Sequence, residues 1–163
     1  MTLSNRCAAP IRLRGTTTAP GALEGTAVSG NLNGSSVRAA FNDTSMVPRQ
    51  QIVDLLDQAA SLLPGEIYPQ ITPRGGRTGR NTGTENHPSG WAADVQLVRR
   101  GTIIRPGDEP NLYVEFISGL VGNSLLRDRV CGVGMYEWGI HIDQTESRQT
   151  GRGGVSTWNG WPR

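Results

Sequence analysis

The stretch His87-Pro88-Ser89-Gly90-Trp91-Ala92-Ala93-Asp94-Val95-Gln96-Leu97-Val98 decides how the chain is read. From Trp91 onward it alternates. Trp91, Ala93, Val95 and Leu97 fall on one face of an expected strand over 91–98, and Ala92, Asp94 and Gln96 on the other. Such a pattern describes a strand with one face on a core and the other free for polar chemistry. The polar face carries an aspartate, and His87 enters from the loop just before it. The second of the chain's 2 histidines also has an aspartate beside it, in His141-Ile142-Asp143. In an extended strand, His141 and Asp143 project to the same face. If the two strands are neighbours, two imidazoles and the Asp94 carboxylate converge from a rigid sheet.

That donor set suits zinc. Imidazole nitrogen and carboxylate oxygen fill three tetrahedral positions and leave the fourth for water. Water held there has its pKa lowered toward ~7. By spacing alone, however, H-x6-D with a distant H-x-D is also what ordinary surface or hydrogen-bonded histidines produce.

The flanking sequence supplies a scaffold. Thr44-Ser45-Met46-Val47-Pro48 reads as a helix start. Ile52, Val53, Leu55, Leu56, Ala59, Ala60, Leu62 and Leu63 then recur at helical spacing until Pro64-Gly65 stops the run. Residues 66–72 suit a strand, 73–83 a Gly- and Arg-rich loop, 100–110 a hairpin or loop, and 112–126 a second helix. Residues 132–136 and 140–143 read as two strands joined by a tight turn at 137–139. Helices and strands alternate without a regular strand–helix–strand rhythm. The expected class is therefore α+β, with a mainly antiparallel sheet and helices packed on it. Residues 1–45 form a Gly/Thr/Ser-rich N-terminal arm with few large side chains to offset the entropy of ordering, and residues 46–163 form the domain.

Composition narrows the function. The chain's 163 residues allow one domain plus an extension. The net charge is +2, and the 16 basic residues, all arginine, are scattered rather than gathered into a stripe. That argues against nucleic acid as a partner. No apolar run approaches the ~18 residues of a membrane span. Residues 1–14 lack the hydrophobic region of a secretion signal, so work outside the cytoplasm needs another delivery route. Cys7 and Cys131 lie far apart and read as free thiols, with a disulfide from arm to core as the alternative.

Three blocks together carry a family resemblance. His87-x-x-Gly90-x-Ala92-x-Asp94, Gly132-Val133-Gly134-Met135-Tyr136 and His141-Ile142-Asp143 resemble the D-alanyl-D-alanine carboxypeptidase and L-alanyl-D-glutamate endopeptidase family. These zinc peptidases share their fold with the Hedgehog signalling domain, and the resemblance covers about residues 46–158. It implies a Hedgehog/DD-peptidase-like fold with Zn2+ held by His87, Asp94 and His141. The family's substrate-binding arginine falls on Arg77 or Arg74, in a segment similar to the family's strand-to-loop S-G-Y-R-S. Glu137, four positions before His141, falls nearest to the family's general base, which commonly stands three before the last histidine. Asp143 is expected either to hold an imidazole in place or to be an ordinary strand-end carboxylate, with Arg148 as a salt partner. Gly90 lets the chain turn into the strand, and Ala92 leaves room beside the metal.

The implied activity is cleavage of peptidoglycan stem peptides, by a phage lysin or a virion-borne enzyme that thins the cell wall. In a virion, the N-terminal arm is the expected attachment to other virion proteins. The alternative is a non-catalytic structural or binding module that keeps the fold, because fold alone does not fix function. Trp91 and Trp138 are expected to wall the site or fill the core. Trp158 and Trp161 are open between packing on the sheet and stacking on a ligand.

Overall fold

In the computed structural model, residues 31–78, 86–122, 129–146 and 156–159 are described, with residues 122, 129–131, 145–146 and 156–159 described by their backbone alone. The expected arm lies outside them as far as residue 30, as do Cys7, Arg148 and Trp161.

The amphipathic run folds as helix α1, Gln50–Ala60, with Ile52, Val53, Leu55, Leu56, Ala59 and Ala60 all buried. It begins later than the cap signal suggests. Asp43 accepts from the Ser45 N–H at 2.9 Å and closes a 3-10 turn over Thr44–Met46. Pro48 therefore lies between the turn and the helix. The chain then forms β2 (Ile67–Ile71), a one-turn helix α2 (Asn86–Ser89), β3 (Ala92–Arg99) and β4 (Thr102–Ile104). Helix α3 (Pro110–Gly122), β5 (Arg129–Tyr136), β6 (Gly139–Glu146) and β7 (Ser156–Asn159) follow. Before α1 comes a two-residue strand β1, Arg38–Ala39.

Among the described residues this is an α+β fold with a mixed, seven-stranded sheet. Its order is β1-β2-β3-β6-β5-β7, and β4 pairs with the C-terminal half of β3. β1 on β2 and β7 on β5 are parallel; β2–β3, β3–β4, β3–β6 and β5–β6 are antiparallel. β3 occupies the centre, so its residues are fixed from both sides.

One face of the sheet holds the core. Ala93, Val95 and Leu97 of β3 and Ile140 and Ile142 of β6 pack with the apolar faces of α1 and α3, including Leu55, Leu56, Tyr113, Phe116 and Leu120. Burying each large apolar side chain contributes roughly 1.5–3 kcal/mol, so register is strongly specified along these strands. A slip of one residue would drive Asp94, His141 and Asp143 into the apolar layer. Part of the expected arm also belongs to this core, since Leu32, Val37, Ala39 and Phe41 are buried in it.

Tyr113 ties α3 to the sheet. Its hydroxyl donates to the Ile104 carbonyl at 2.7 Å and accepts from the Leu97 N–H at 3.0 Å. Burial pushes the phenol pKa up to about 12, so the group stays neutral. Tyr113→Phe leaves two buried backbone groups without this partner. It is expected to lower unfolding stability by about 1–3 kcal/mol, read as a lower urea midpoint with an unchanged slope.

Candidate metal centre

The pairing of β3 with β6 sets Asp94 opposite His141 and Ala92 opposite Asp143. All four lie on the face away from α1 and α3, as the alternation requires. His87 arrives from α2 rather than from an open loop. The turn closes when Gly90 N–H donates to the His87 carbonyl at 3.0 Å and Trp91 N–H to that of Asn86 at 2.8 Å. Gly90 has φ +80°, a left-handed conformation that lets the chain leave α2 and enter β3 at once. It also leaves room for Arg77, because a Cβ there would lie 2.5 Å from the guanidinium Nη2.

Residues 72–76 hold the site from the other side. The Thr72 N–H donates to the Asp94 carbonyl at 2.9 Å, and the Asp94 N–H donates to the Gly75 carbonyl at 2.8 Å. The next carbonyl, of Gly76, accepts from His87 Nδ1 at 2.9 Å.

Three side-chain atoms converge. His141 Nδ1 is 2.8 Å from Asp94 Oδ1, His87 Nε2 is 3.4 Å from the same oxygen, and the two ring nitrogens are 3.2 Å apart. His87 is 5% exposed and His141 9%. The outer nitrogens decide the protonation pattern. Gly76 offers only a carbonyl, so His87 Nδ1 carries a proton, and Nε2 of the neutral ring is a bare acceptor. His141 Nε2 donates to Asp143 Oδ2 at 3.0 Å, which leaves Nδ1 bare in the same way. Two lone pairs and a carboxylate oxygen then face one another within 4.8 Å. Such a cluster repels itself unless a cation or an added proton sits among its members. The donor set fits a metal ion shared by His87, Asp94 and His141.

Without a metal, the proton takes that role. Burial opposes charge on His141, but hydrogen bonds to Asp143 and Asp94 and the charges of both carboxylates outweigh it and raise its pKa to about 9. Burial likewise disfavours the Asp94 carboxylate, yet the hydrogen bond from His141 and the imidazoles beside it hold its pKa below the usual value. The first shift keeps a proton on His141 and the second keeps Asp94 ionised, so opposite charges meet where the three atoms converge.

Asp143 fills the role of holding an imidazole. It is buried, and its carboxylate lies over Gly132 of β5, where a Cβ would come within 2.6 Å of Oδ1. Ala92 is fully buried beside it. Neither Gly132 nor the Gly76 carbonyl was assigned a role from the sequence. Gly132 was visible only as part of a motif, and a backbone carbonyl has no sequence signal at all.

The other candidates are not among the three clustered groups. Arg77 is exposed; its backbone N–H donates to the Met46 carbonyl, and its guanidinium packs on Gly90 and donates to the Ser89 carbonyl at 3.4 Å. Arg74 is exposed in the turn next to Gly75. Glu137 is exposed in the two-residue turn between β5 and β6. Trp91 is half-buried against the core with the Arg49 guanidinium 4.8 Å from its ring centroid. Trp138 stands at the surface, stacked on Tyr136. For Cys131 and Trp158 only the backbone is described.

No known family matches the chain, and neither a curated protein nor a solved structure is significantly similar to it.

Gly132→Ala tests the support of the site. The added methyl must displace the Asp143 carboxylate and release His141 Nε2. It is expected to weaken metal affinity roughly 10–100-fold, measured by competition with a chromogenic chelator, with unchanged far-UV circular dichroism as the folding control.

Proposed function

We propose that the chain is a zinc-dependent peptidase with a Hedgehog/DD-peptidase-like fold that cleaves peptide bonds in peptidoglycan stem peptides, as a lysin or virion-associated wall-degrading enzyme. The observation that carries the metal assignment is the inward meeting of two imidazole nitrogens and a carboxylate oxygen within 4.8 Å of one another. Two nitrogens and one carboxylate oxygen suit zinc, which needs no more than four ligands and tolerates an open position. The three blocks of sequence that resemble the zinc peptidases support the reaction class.

His87, Asp94 and His141 would hold the ion, with Gly76 and Asp143 fixing the two rings by their outer nitrogens. Bound there, zinc supplies Lewis acidity for a carbonyl and acidifies water toward pKa ~7. Glu137 is the proposed proton acceptor; its exposed carboxylate forms no hydrogen bond or ion pair among the described residues. Arg74 is the better placed of the two arginines to meet a substrate carboxylate, because Arg77 is engaged with Ser89 and Gly90. A guanidinium suits that task through paired N–H donors.

One observation favours a second reading. Glu137 is exposed in its turn and is not one of the clustered groups, which suits a metal-holding binding module that does not turn over. The two readings part in assays of the zinc-loaded chain on purified cell wall. Released stem-peptide fragments, identified by mass, support the peptidase. Bound but unaltered wall material supports the module.

The metal assignment has its own test. Wild-type protein is expected to retain about one zinc per chain, a stoichiometry set by three donors to one open tetrahedral site, and His87→Ala and His141→Ala to retain almost none, by elemental analysis. Chelation should lower the wild-type melting temperature, since an ion bound only to the native state stabilises it. Equal metal content in wild type and His87→Ala ends the assignment. Glu137→Gln is expected to keep zinc and lose hydrolysis; full activity there removes Glu137 from the mechanism.

A further inference from the structure

Next to the ligand trio, the same face of the sheet carries an aromatic step that the peptidase chemistry leaves unused. Gly132, Gly134 and Tyr136 alternate onto one face of β5, the face on which Asp143 lies over Gly132. Gly134 is in register with His141, so Tyr136 stands two residues further along, roughly 7 Å from the His141 row at the strand's rise per residue. Trp138 stacks on Tyr136 with ring centroids 5.1 Å apart and planes 11° from parallel. The indole nevertheless remains 37% exposed, one of few large apolar side chains left at the surface among the described residues.

Polar groups rim this step. Gln96 shares the face of Asp94, and its Nε2 donates to the Trp138 carbonyl at 3.0 Å. That bond fixes the amide and leaves its oxygen as an acceptor. Glu137 adjoins Trp138 in the exposed turn.

We propose that Tyr136, Trp138 and Gln96 form a saccharide subsite, which seats the sugar that bears the stem peptide. A pyranose ring has a flat face of C–H groups and a rim of hydroxyl donors. The first matches the exposed indole, and the second matches the Gln96 oxygen. A purely apolar occupant would strip water from that acceptor with nothing in return. The spacing points to the same ligand. One extended residue spans about 3.3–3.6 Å, so a sugar at Trp138 sets a peptide bond near the sugar end of the stem, not its far end, over the ligand trio. This inference rests on the peptidase reading for its choice of sugar and peptide, and on the aromatic step alone for saccharide binding.

Two measurements on the full chain test it. The first titrates wild type, Trp138→Phe and Trp138→Ala with N-acetylglucosamine tetrasaccharide, followed by tryptophan fluorescence and calorimetry. Wild type is expected to bind, Trp138→Phe to bind more weakly, and Trp138→Ala to lose roughly tenfold or more, the scale of a tryptophan anchor in an interface. Absence of binding by wild type overturns the subsite whatever the variants do. The second compares KM for a disaccharide-pentapeptide with KM for the free pentapeptide. Wild type is expected to favour the sugar-bearing substrate by roughly tenfold, and Trp138→Ala to bring the ratio near one. Equal wild-type KM values overturn the subsite and leave the peptidase standing. Sugar binding that depends on Trp138, with neither substrate cleaved, upholds the subsite and removes the peptidase.

Discussion

The pairing of β3 with β6 in the register Asp94 to His141 is the constraint on which the candidate metal centre depends. It is held by hydrophobic burial on the other side of the same strands. Ala93, Val95, Ile140 and Ile142 are each essentially inaccessible to solvent, and each fixes its polar neighbours on the opposite face. The core therefore sets the relative height of a carboxylate and an imidazole 47 residues apart. No direct attraction between Asp94 and His141 is needed to find that register, although one follows from it.

A second layer converts proximity into a binding site. The histidines differ in which nitrogen faces inward, Nε2 for His87 and Nδ1 for His141. Each choice follows from the partner of the outer nitrogen: a backbone carbonyl on the 72–76 segment for one ring, and the Asp143 carboxylate for the other. Both bonds are buried, and in the neutral rings they hold the proton on the outer nitrogen, away from the side where a cation would bind. The pair also differs in rigidity. His141 sits on a strand flanked on both sides, whereas His87 rides on one helical turn braced by the 72–76 segment.

Much of this was legible in the residues. The alternation from Trp91 to Leu97 gave the two faces of β3, and the helical spacing from Ile52 to Ala60 gave α1, because periodicity records which side meets the core. Boundaries were less exact. The 3-10 turn over Thr44–Met46 moved the start of α1 to Gln50, and Leu32, Val37, Ala39 and Phe41 proved to be core residues within a segment read as arm. Small side chains between them masked the alternation. His87 was read as lying in a loop and stands on α2, since four residues are too few to show a helical period. Trp138, read as a wall or core residue, is not in the core: it is at the surface, stacked on Tyr136 on the face that carries His141.

The sequence by itself singled out His87, Asp94 and His141 and determined the faces on which two of them lie, because strand alternation is a local property of the backbone. Only the tertiary structure decided that the three side chains meet, which nitrogen each histidine turns inward, and that Arg77 packs on Gly90. Those outcomes depend on strand order and on the Gly76 carbonyl, a group every residue possesses. Pairing between distant strands is fixed by burial summed over the whole sheet, and no short stretch of residues carries that sum.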